Sequence, residues 1–384
     1  MFQGLIIEIS NSSITQKITL LLFILSLFIQ LYYYFYYYTR IWKKPEAIEN
    51  DKESFPPVSI IICARNEDNN LSEHLPIILN QDYPNFEVIV VNDCSEDDTE
   101  IILTNLKKTF SHLRTTTIKN DDKFKHFKKL ALTIGLKSAQ NEWVLLTDAD
   151  CKPTSKKWLS SMANNFKNDN EFILGYGRYE KLPGLTNKII RAETALTGIQ
   201  YLSFAMAGKP YMGVGRNLAY KKSVFFNNKG FASHIKLISG DDDLFVNSHA
   251  NSNNTKVQYD YRSQTISVPK KTFKSWFYQK RRHITTGSFY NKKSKMLLGT
   301  ELFSRILLIF TTCYLMISNT ATAWISVTLA IWLLSQIIVL KIGLNRLKER
   351  QILLTCVAYN LMAPFLLLAL RLKNITNPII TKWK

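Results

Sequence analysis

Residues 143–151 read WVLLTDADC: four apolar residues, a threonine, then two aspartates separated by one alanine. A short apolar run of this kind marks a strand buried on both faces of a parallel sheet. Two more such runs precede it, VSIIIC at 58–63 and VIVV at 88–91. Between the runs lie stretches of helical character at 67–80, 96–108 and 128–139. The second follows Ser95 and carries Asp98 three residues on, the pattern of a capping box. The third predicts an apolar face of Leu130, Ile134 and Leu136. Strands alternating with helices predict an α/β fold, a mostly parallel sheet with helices on both faces. Its functional rim is the C-terminal edge of the strands. There the three runs end in Ala64-Arg65-Asn66-Glu67, Asn92-Asp93 and Asp148-Ala149-Asp150. Each group alone also suits a turn or a helix cap. Together they bring three acidic clusters to one crevice.

In extended chain, residues i and i+2 point the same way, so Asp148 and Asp150 are predicted to aim both carboxylates into the crevice. Side by side the two charges repel, and a divalent cation removes the conflict. Oxygen ligands suit Mg²⁺ or Mn²⁺, and Mg²⁺ completes its shell with water and substrate phosphates. A substrate with a diphosphate is therefore implied. The chain lacks the glycine-rich phosphate loop of P-loop enzymes and the G-x-G-x-x-G of dinucleotide dehydrogenases. The glycine-rich, arginine-containing loop that sugar nucleotidyltransferases need after the first strand is also missing.

Outside this block the chain is apolar. Residues 18–38 carry no charge for 21 positions and 306–340 carry none for 35, with a natural break at Ser318-Asn319-Thr320. A last uncharged run covers 352–370. A span needs about 20 such residues, which predicts four segments at about 18–38, 298–317, 321–340 and 352–370. The expected division is an N-terminal anchor over 1–45, a catalytic domain over 56–295 and a membrane region over 296–384. Arg40, Lys43 and Lys44 follow the first segment while only Lys17 precedes it, and the link 341–350 holds four basic residues and one acid. Both place the catalytic domain on the cytoplasmic side of a multi-pass membrane protein. The basic tail would lie outside if the last segment crosses, so that segment, which contains Pro364, either crosses or is re-entrant. The first segment has neither a basic leader nor a small-residue cleavage site and is expected to remain as an anchor.

The chain carries 49 Lys and Arg against 30 Asp and Glu, a net charge of +19. On a membrane protein this excess fits anionic headgroups and substrate phosphates, so membrane lipids and no nucleic acid are the expected partners. Cys63, Cys94, Cys151, Cys313 and Cys356 form no C-x-x-C pair, which fits reduced thiols and no zinc site. The histidines at 74, 112, 126, 234 and 249 show no metal spacing.

VSIIICARNE (58–67), VIVVNDCSEDDT (88–99), KKLAL (128–132) and LLTDADC (145–151) together resemble family 2 glycosyltransferases. GVGRNLAY (213–220), SGDDDLF (239–245) and QKRRH (279–283) resemble acceptor-side motifs of the membrane-bound branch, with its cellulose and poly-N-acetylglucosamine synthases and ceramide glucosyltransferases. The resemblance implies an inverting enzyme of the Rossmann-like GT-A fold. By it, Asn66, Glu67 and Asp93 line the nucleoside pocket with Lys128 nearby, and Asp148 and Asp150 hold the metal on the diphosphate. It makes Asp241 the catalytic base, with Asp242 the contender, and sets Gly215 and Asn217 on the acceptor side. Asp241–Asp243 also form a good acidic helix start. Gln279 and Arg282 match a Q-x-x-R-W element that closes over the diphosphate, and His283 stands where that element has tryptophan. Arg281 and Arg282 suit phosphate, and Trp276, Phe277 and Tyr278 suggest an interfacial helix.

The expected activity is transfer of a sugar from a nucleotide-sugar donor, a UDP-sugar by preference, to a lipid-linked or glycan acceptor at the cytoplasmic face. The alternatives are a processive polysaccharide synthase and a non-catalytic nucleotide-sugar-binding membrane module. Four segments are few for a polymer-exporting channel, which favours single transfer to a lipid-linked acceptor.

Overall fold

A computed structural model describes residues 10–45, 55–119, 128–167, 169–235, 237 and 239–377. Helix α1 (Ile14–Tyr32) leads through one π turn and one 3-10 turn to Trp42. An α/β domain follows with β1 (Val58–Ala64), α2 (Asp68–Leu79), β2 (Phe86–Asp93), α3 (Thr99–Thr109), β3 (Leu113–Ile118), α4 (Lys128–Ser138) and β4 (Trp143–Asp148). Next come β5 (Cys151–Pro153), α5 (Trp158–Ala163), β6 (Phe172–Gly175), β7 (Gly177–Tyr179), α6 (Leu185–Met206), β8 (Leu218–Lys221) and α7 (Lys222–Asn227). It closes with α8 (Asp243–His249), β9 (Thr255–Gln258), β10 (Thr265–Ser267) and α9 (Phe273–His283). Helices α10 (Lys292–Ile317), α11 (Thr322–Arg346) and α12 (Leu353–Thr376) complete the chain.

The main sheet has the order β3-β2-β1-β4-β8-β6-β9. Its first four strands are parallel, and β8 pairs antiparallel with both β4 and β6. Ile60, Ile61, Val88, Val90 and Leu145 are all but inaccessible, which explains why these strands are apolar on both faces. Parallel register sets Cys63 beside Asp148 and Ala64 beside Asn92, so the polar ends of β1, β2 and β4 share one rim as predicted. A small sheet, β5-β10-β7, lies beside it.

Two local expectations differ. Helix α3 begins after Asp98, not at Ser95. The Ser95 hydroxyl instead accepts the Asn66 N–H at 2.9 Å, and Asp97 takes the Thr99 N–H at 3.1 Å, because this loop is used to hold the β1 loop. In α4 the sheet-facing residues are Ala131, Leu132, Gly135 and Leu136, while Leu130 and Ile134 are half-buried. Gly135 sets the line of closest approach: a Cβ there would sit 2.6 Å from Ile61 Cγ2.

Among the described residues, four helical stretches are long and apolar enough to cross a membrane: Ile14–Trp42, Lys292–Ile317, Thr322–Arg346 and Leu353–Thr376. Their outward faces expose Phe303, Phe310, Ile331, Leu334 and Leu368. The break between α10 and α11 falls at Ser318–Ala321, as expected. Helix α12 runs unbroken through Pro364. Proline cannot bond the carbonyl four residues back, and Arg305 supplies that bond, donating to the Asn360 carbonyl at 2.9 Å.

The α/β domain rests on these helices through α6. Ile199 packs against Gly343, and Arg191 donates to Glu349 at 2.5 Å in the link between α11 and α12. The far end of α12 is tied to α9, where Arg281 donates to Asn374 Oδ1 at 2.9 Å and to the carbonyl oxygens of Lys373 and Asn377. Both ends of α12 therefore meet elements of the α/β domain. Arg281 is consumed by this clasp and is not free for phosphate.

Arg191 and Glu349 are both buried. Removing one partner of such a pair strands a buried charge at a cost of about 3–5 kcal/mol, while replacing both with apolar groups is near neutral. Thermal unfolding in detergent is expected to show Arg191→Met strongly destabilised and the double variant Arg191→Met with Glu349→Leu largely restored.

Candidate active site

The loop after β1 turns at Asn66, whose φ of 54° is left-handed. Its N–H bonds Ser95 and its Oδ1 accepts the Glu96 N–H at 2.8 Å, locking the loops after β1 and β2 together. Glu67 follows, half-buried. Burial, and then the charges of Asp150 and Asp148, raise its carboxyl above the ordinary value. Asp93 ends β2 wholly buried, with the Cys94 thiol donating to it at 3.5 Å.

Across the crevice stand Asp241, Asp242 and Asp243. Gly240 precedes them with φ 95°, and a Cβ there would fall 2.4 Å from Leu244, so the sharp entry to α8 requires glycine. Lys129, wholly buried, donates to the carbonyls of His234, Leu237 and Ser239 at 2.7–2.8 Å and pins the approach to Asp241. Asp243 is a brace, accepting from Thr286 at 2.5 Å and Tyr290 at 2.9 Å. Asp242 accepts the Gly215 N–H at 2.7 Å. A Cβ at Gly215 would lie 3.4 Å from Asp242 and 3.7 Å from Lys128, in ordinary contact with both, so Gly215 borders this junction.

Lys128 joins the two halves. Its ammonium is 2.8 Å from Asp148 Oδ1 and 3.2 Å from Asp241 Oδ2. Burial disfavours its charge, but Asp148, Asp241 and Asp242 outweigh burial and hold its pKa well above the ordinary lysine value. Burial likewise opposes ionisation of Asp241, and Lys128 overrides it, keeping that carboxyl below its usual value. Asp242 goes the other way: burial, then the charges of Asp241 and Asp243, push it up to about 7.

Asp148, Asp150 and Cys151 place one donor atom each within 4.8 Å of one another. Burial and the Asp148 charge raise the Asp150 carboxyl, the penalty expected of two carboxylates with no cation between them. Burial followed by Asp150 and Asp148 drives the Cys151 thiol well above its ordinary value, and its sulfur contacts the Ser267 hydroxyl at 2.9 Å. The thiol thus stays protonated and the donor set is two hard oxygens, which fits Mg²⁺ or Mn²⁺.

Residues 59–226 match the model of glycosyl transferase family 2. Over these residues the chain is similar to a family 2 glycosyltransferase domain. The chain is 29% identical over 108 residues to the poly-beta-1,6-N-acetyl-D-glucosamine synthase of Staphylococcus epidermidis, covering 27% of this chain and 24% of that one. It is 29% identical over 118 residues to the beta-monoglucosyldiacylglycerol synthase of Trichormus variabilis, covering 30% and 25%. It therefore spans about a quarter of the length of either relative. In fold it is similar to the mannosyltransferase PcManGT of Pyrobaculum calidifontis, solved with GDP-Man and Mn²⁺, with a TM-score of 0.63 at 19% identity, covering 94% of this chain and 98% of that one. The sheet and helices are those of a GT-A fold.

The fold places the motif residues unevenly. Asn66, Glu67, Asp93, Lys128, Asp148, Asp150, Asp241 and Asp242 gather at the rim. Asn217 does not offer its side chain to the crevice. It is wholly buried, accepting from Trp158 Nε1 at 3.1 Å and donating to the carbonyls of Tyr176 and Ser263, so it braces the Gly215 backbone. Gln279 and Arg282 are half-buried on α9, and the Arg282 Nε has no partner among the described residues. His283 keeps solvent access beside the site. The enclosing walls, then Lys280, Arg282, Arg216 and Lys128, hold its imidazole well below the ordinary value and therefore neutral. Sequence reasoning missed Arg216, which stacks over Tyr179 at 4.4 Å and faces Asp150 and Asp148. Its only signal was its place inside GVGRN.

Because the folded protein holds a proton on Asp242 up to about pH 7 that the unfolded chain releases near pH 4, stability falls as pH rises through that window. Asp242→Asn is expected to stabilise the protein by about 2–4 kcal/mol at pH 8 and little at pH 4.5. Thermal unfolding at the two pH values checks this.

Proposed function

We propose that this glycosyltransferase is a membrane-embedded, metal-dependent inverting enzyme that moves one sugar from a nucleotide-sugar donor to a lipid-linked or glycan acceptor at the cytoplasmic face. The observation that carries the reading is the position of Lys128 between Asp148 and Asp241, which sets a leaving-group carboxylate and a base on either side of one ammonium. Asn66, Glu67 and Asp93 line the nucleoside end, and Asp148 and Asp150 hold the Mg²⁺ or Mn²⁺. That ion, when bound, neutralises the departing nucleoside diphosphate. Arg216, Arg282 and Lys128 add positive charge around the same diphosphate.

Inversion is a single displacement at the anomeric carbon. The acceptor oxygen bonds that carbon, the bond to the diphosphate oxygen breaks, and the acceptor proton passes to Asp241. Lys128 keeps Asp241 ionised at neutral pH, so it is ready to accept. Asp242, half-protonated near pH 7, holds the Gly215 N–H beside it. The basic residues after the first apolar segment and in the α11–α12 link support a cytoplasmic catalytic domain, as does docking of that link on α6. A processive reading draws on the similarity to a poly-N-acetylglucosamine synthase. Against it, only four helices are long and apolar enough to cross a membrane among the described residues.

The test is turnover of a panel of UDP- and GDP-sugars by purified protein in detergent with added lipid extract, with product configuration read by NMR. Expected are dependence on Mg²⁺ or Mn²⁺, an inverted anomer, a single added sugar, and a fall in kcat of about 10²–10⁴ for Asp241→Asn. Undiminished turnover without divalent metal contradicts the use of Asp148 and Asp150, and a ladder of polymers favours the processive reading.

A further inference from the structure

A cavity of about 1040 Å³ lies outside the rim, between α6, the turns that follow α1, and the long apolar helices α10, α11 and α12. Leu196, Ile199, Leu298, Leu302, Leu340 and Leu367 give it apolar walls suited to hydrocarbon. Three of its charged groups are spent on partners: Glu193 pairs with Lys280 at 2.6 Å, and Arg305 and Glu301 pair with each other. Arg305 also bonds Asn360, which in turn donates to Tyr34 and Gln336, so this end is a closed polar floor. Lys295 and Arg371, both exposed where they line the cavity, make no ion pair among the described residues. Lys295 lies in the first turn of α10, and Arg371 lies just before the clasp of α12 on α9. The two unpaired cations thus sit toward the catalytic domain, with Lys295 about 15 Å along α10 from the Arg305 floor.

The same end of the cavity touches the chemistry. Tyr290 lines it, and the Tyr290 hydroxyl donates to Asp243, two residues from Asp241. We infer that this cavity is the acceptor site and that its occupant is a phosphate-bearing membrane lipid. Its hydrocarbon lies along the leucine walls, its phosphate meets Lys295 and Arg371, and a free headgroup hydroxyl reaches Asp241. A neutral lipid would leave both cations unanswered at an apolar surface, and a soluble glycan would leave the walls unfilled. The inference rests on the transferase reading above and narrows its acceptor to one class. Transfer joins the headgroup oxygen to the anomeric carbon, releases the nucleoside diphosphate and passes the hydroxyl proton to Asp241.

The test uses the full chain in mixed micelles, with lipid binding followed by native mass spectrometry and Mn²⁺-nucleotide binding followed separately. Phosphatidylglycerol and phosphatidic acid are expected to bind at least tenfold more tightly than diacylglycerol. The double variant Lys295→Gln with Arg371→Gln is expected to lose that preference by about tenfold while retaining nucleotide binding. Leu302→Trp, which fills the cavity, is expected to weaken all three lipids. Equal binding of diacylglycerol, or an anionic preference unchanged in the double variant, overturns the inference even if nucleotide binding holds. Failure of the wild type to bind any Mn²⁺-nucleotide counts against the transferase reading itself. Transfer to phosphatidylglycerol or to a polyprenyl-diphosphate sugar then distinguishes a glycerophospholipid from a lipid-linked saccharide as the source of the phosphate.

Discussion

The crevice is organised by one ammonium. Lys128 sits between the carboxylate that ends β4 and the carboxylate that opens α8, residues separated by 93 positions of chain. Without it, Glu67, Asp148, Asp150, Asp241 and Asp242 would face one another across a low-dielectric cleft with little to offset their repulsion. With it, Asp241 stays ionised and the unfavourable protonation falls on Asp242 and Asp150. The lysine can do this because α4 lies close on β1 and β2, and that closeness depends on Gly135. Its neighbour Lys129 meanwhile fixes the loop that delivers Asp241. Two consecutive lysines at one helix start thus hold both sides of the site.

The membrane helices share in this geometry. Glu349 from the α11–α12 link is buried against Arg191 of α6, and the end of α12 is clasped by Arg281 of α9, the helix that also carries Gln279 and Arg282. Thr286 and Tyr290, on the chain between α9 and α10, brace Asp243. A shift of α10 or α12 would therefore be felt at the acidic cluster through packed, hydrogen-bonded groups. This is the physical link between the proposed acceptor cavity and the sheet rim.

Much of the fold was legible because its signals are local and repeated. Three apolar runs ending in polar residues, separated by helical stretches, predict the parallel half of the sheet and its rim. What failed was decided by tertiary partners. Ser95 resembles a helix cap, yet its hydroxyl is taken by Asn66 from the neighbouring loop. Leu130 and Ile134 fit helical spacing, yet Gly135 rotates α4 so that smaller residues meet the sheet. Pro364 suggests a break, yet Arg305, 59 residues away in sequence, repairs the missing bond. Within the site, Asp148, Asp150 and Asp241 stood out as motif residues, whereas Asn217 and Arg281 show the same polar character and turn out to be braces. Arg216 and Lys129 lie inside quoted motifs, GVGRNLAY and KKLAL, but their roles show only once the fold brings their partners alongside.

The central claim is a division of labour in which Asp148 and Asp150 hold charge for the leaving group and Asp241 takes the proton. Mn²⁺ binding measured by electron paramagnetic resonance, with and without nucleoside diphosphate, separates the two duties when Asp148→Asn and Asp241→Asn are compared with the wild type. The account predicts that Asp148→Asn loses Mn²⁺ affinity by at least tenfold, while Asp241→Asn keeps Mn²⁺ and nucleotide binding and loses only sugar transfer. Mn²⁺ affinity unchanged in Asp148→Asn, or abolished in Asp241→Asn, would contradict it.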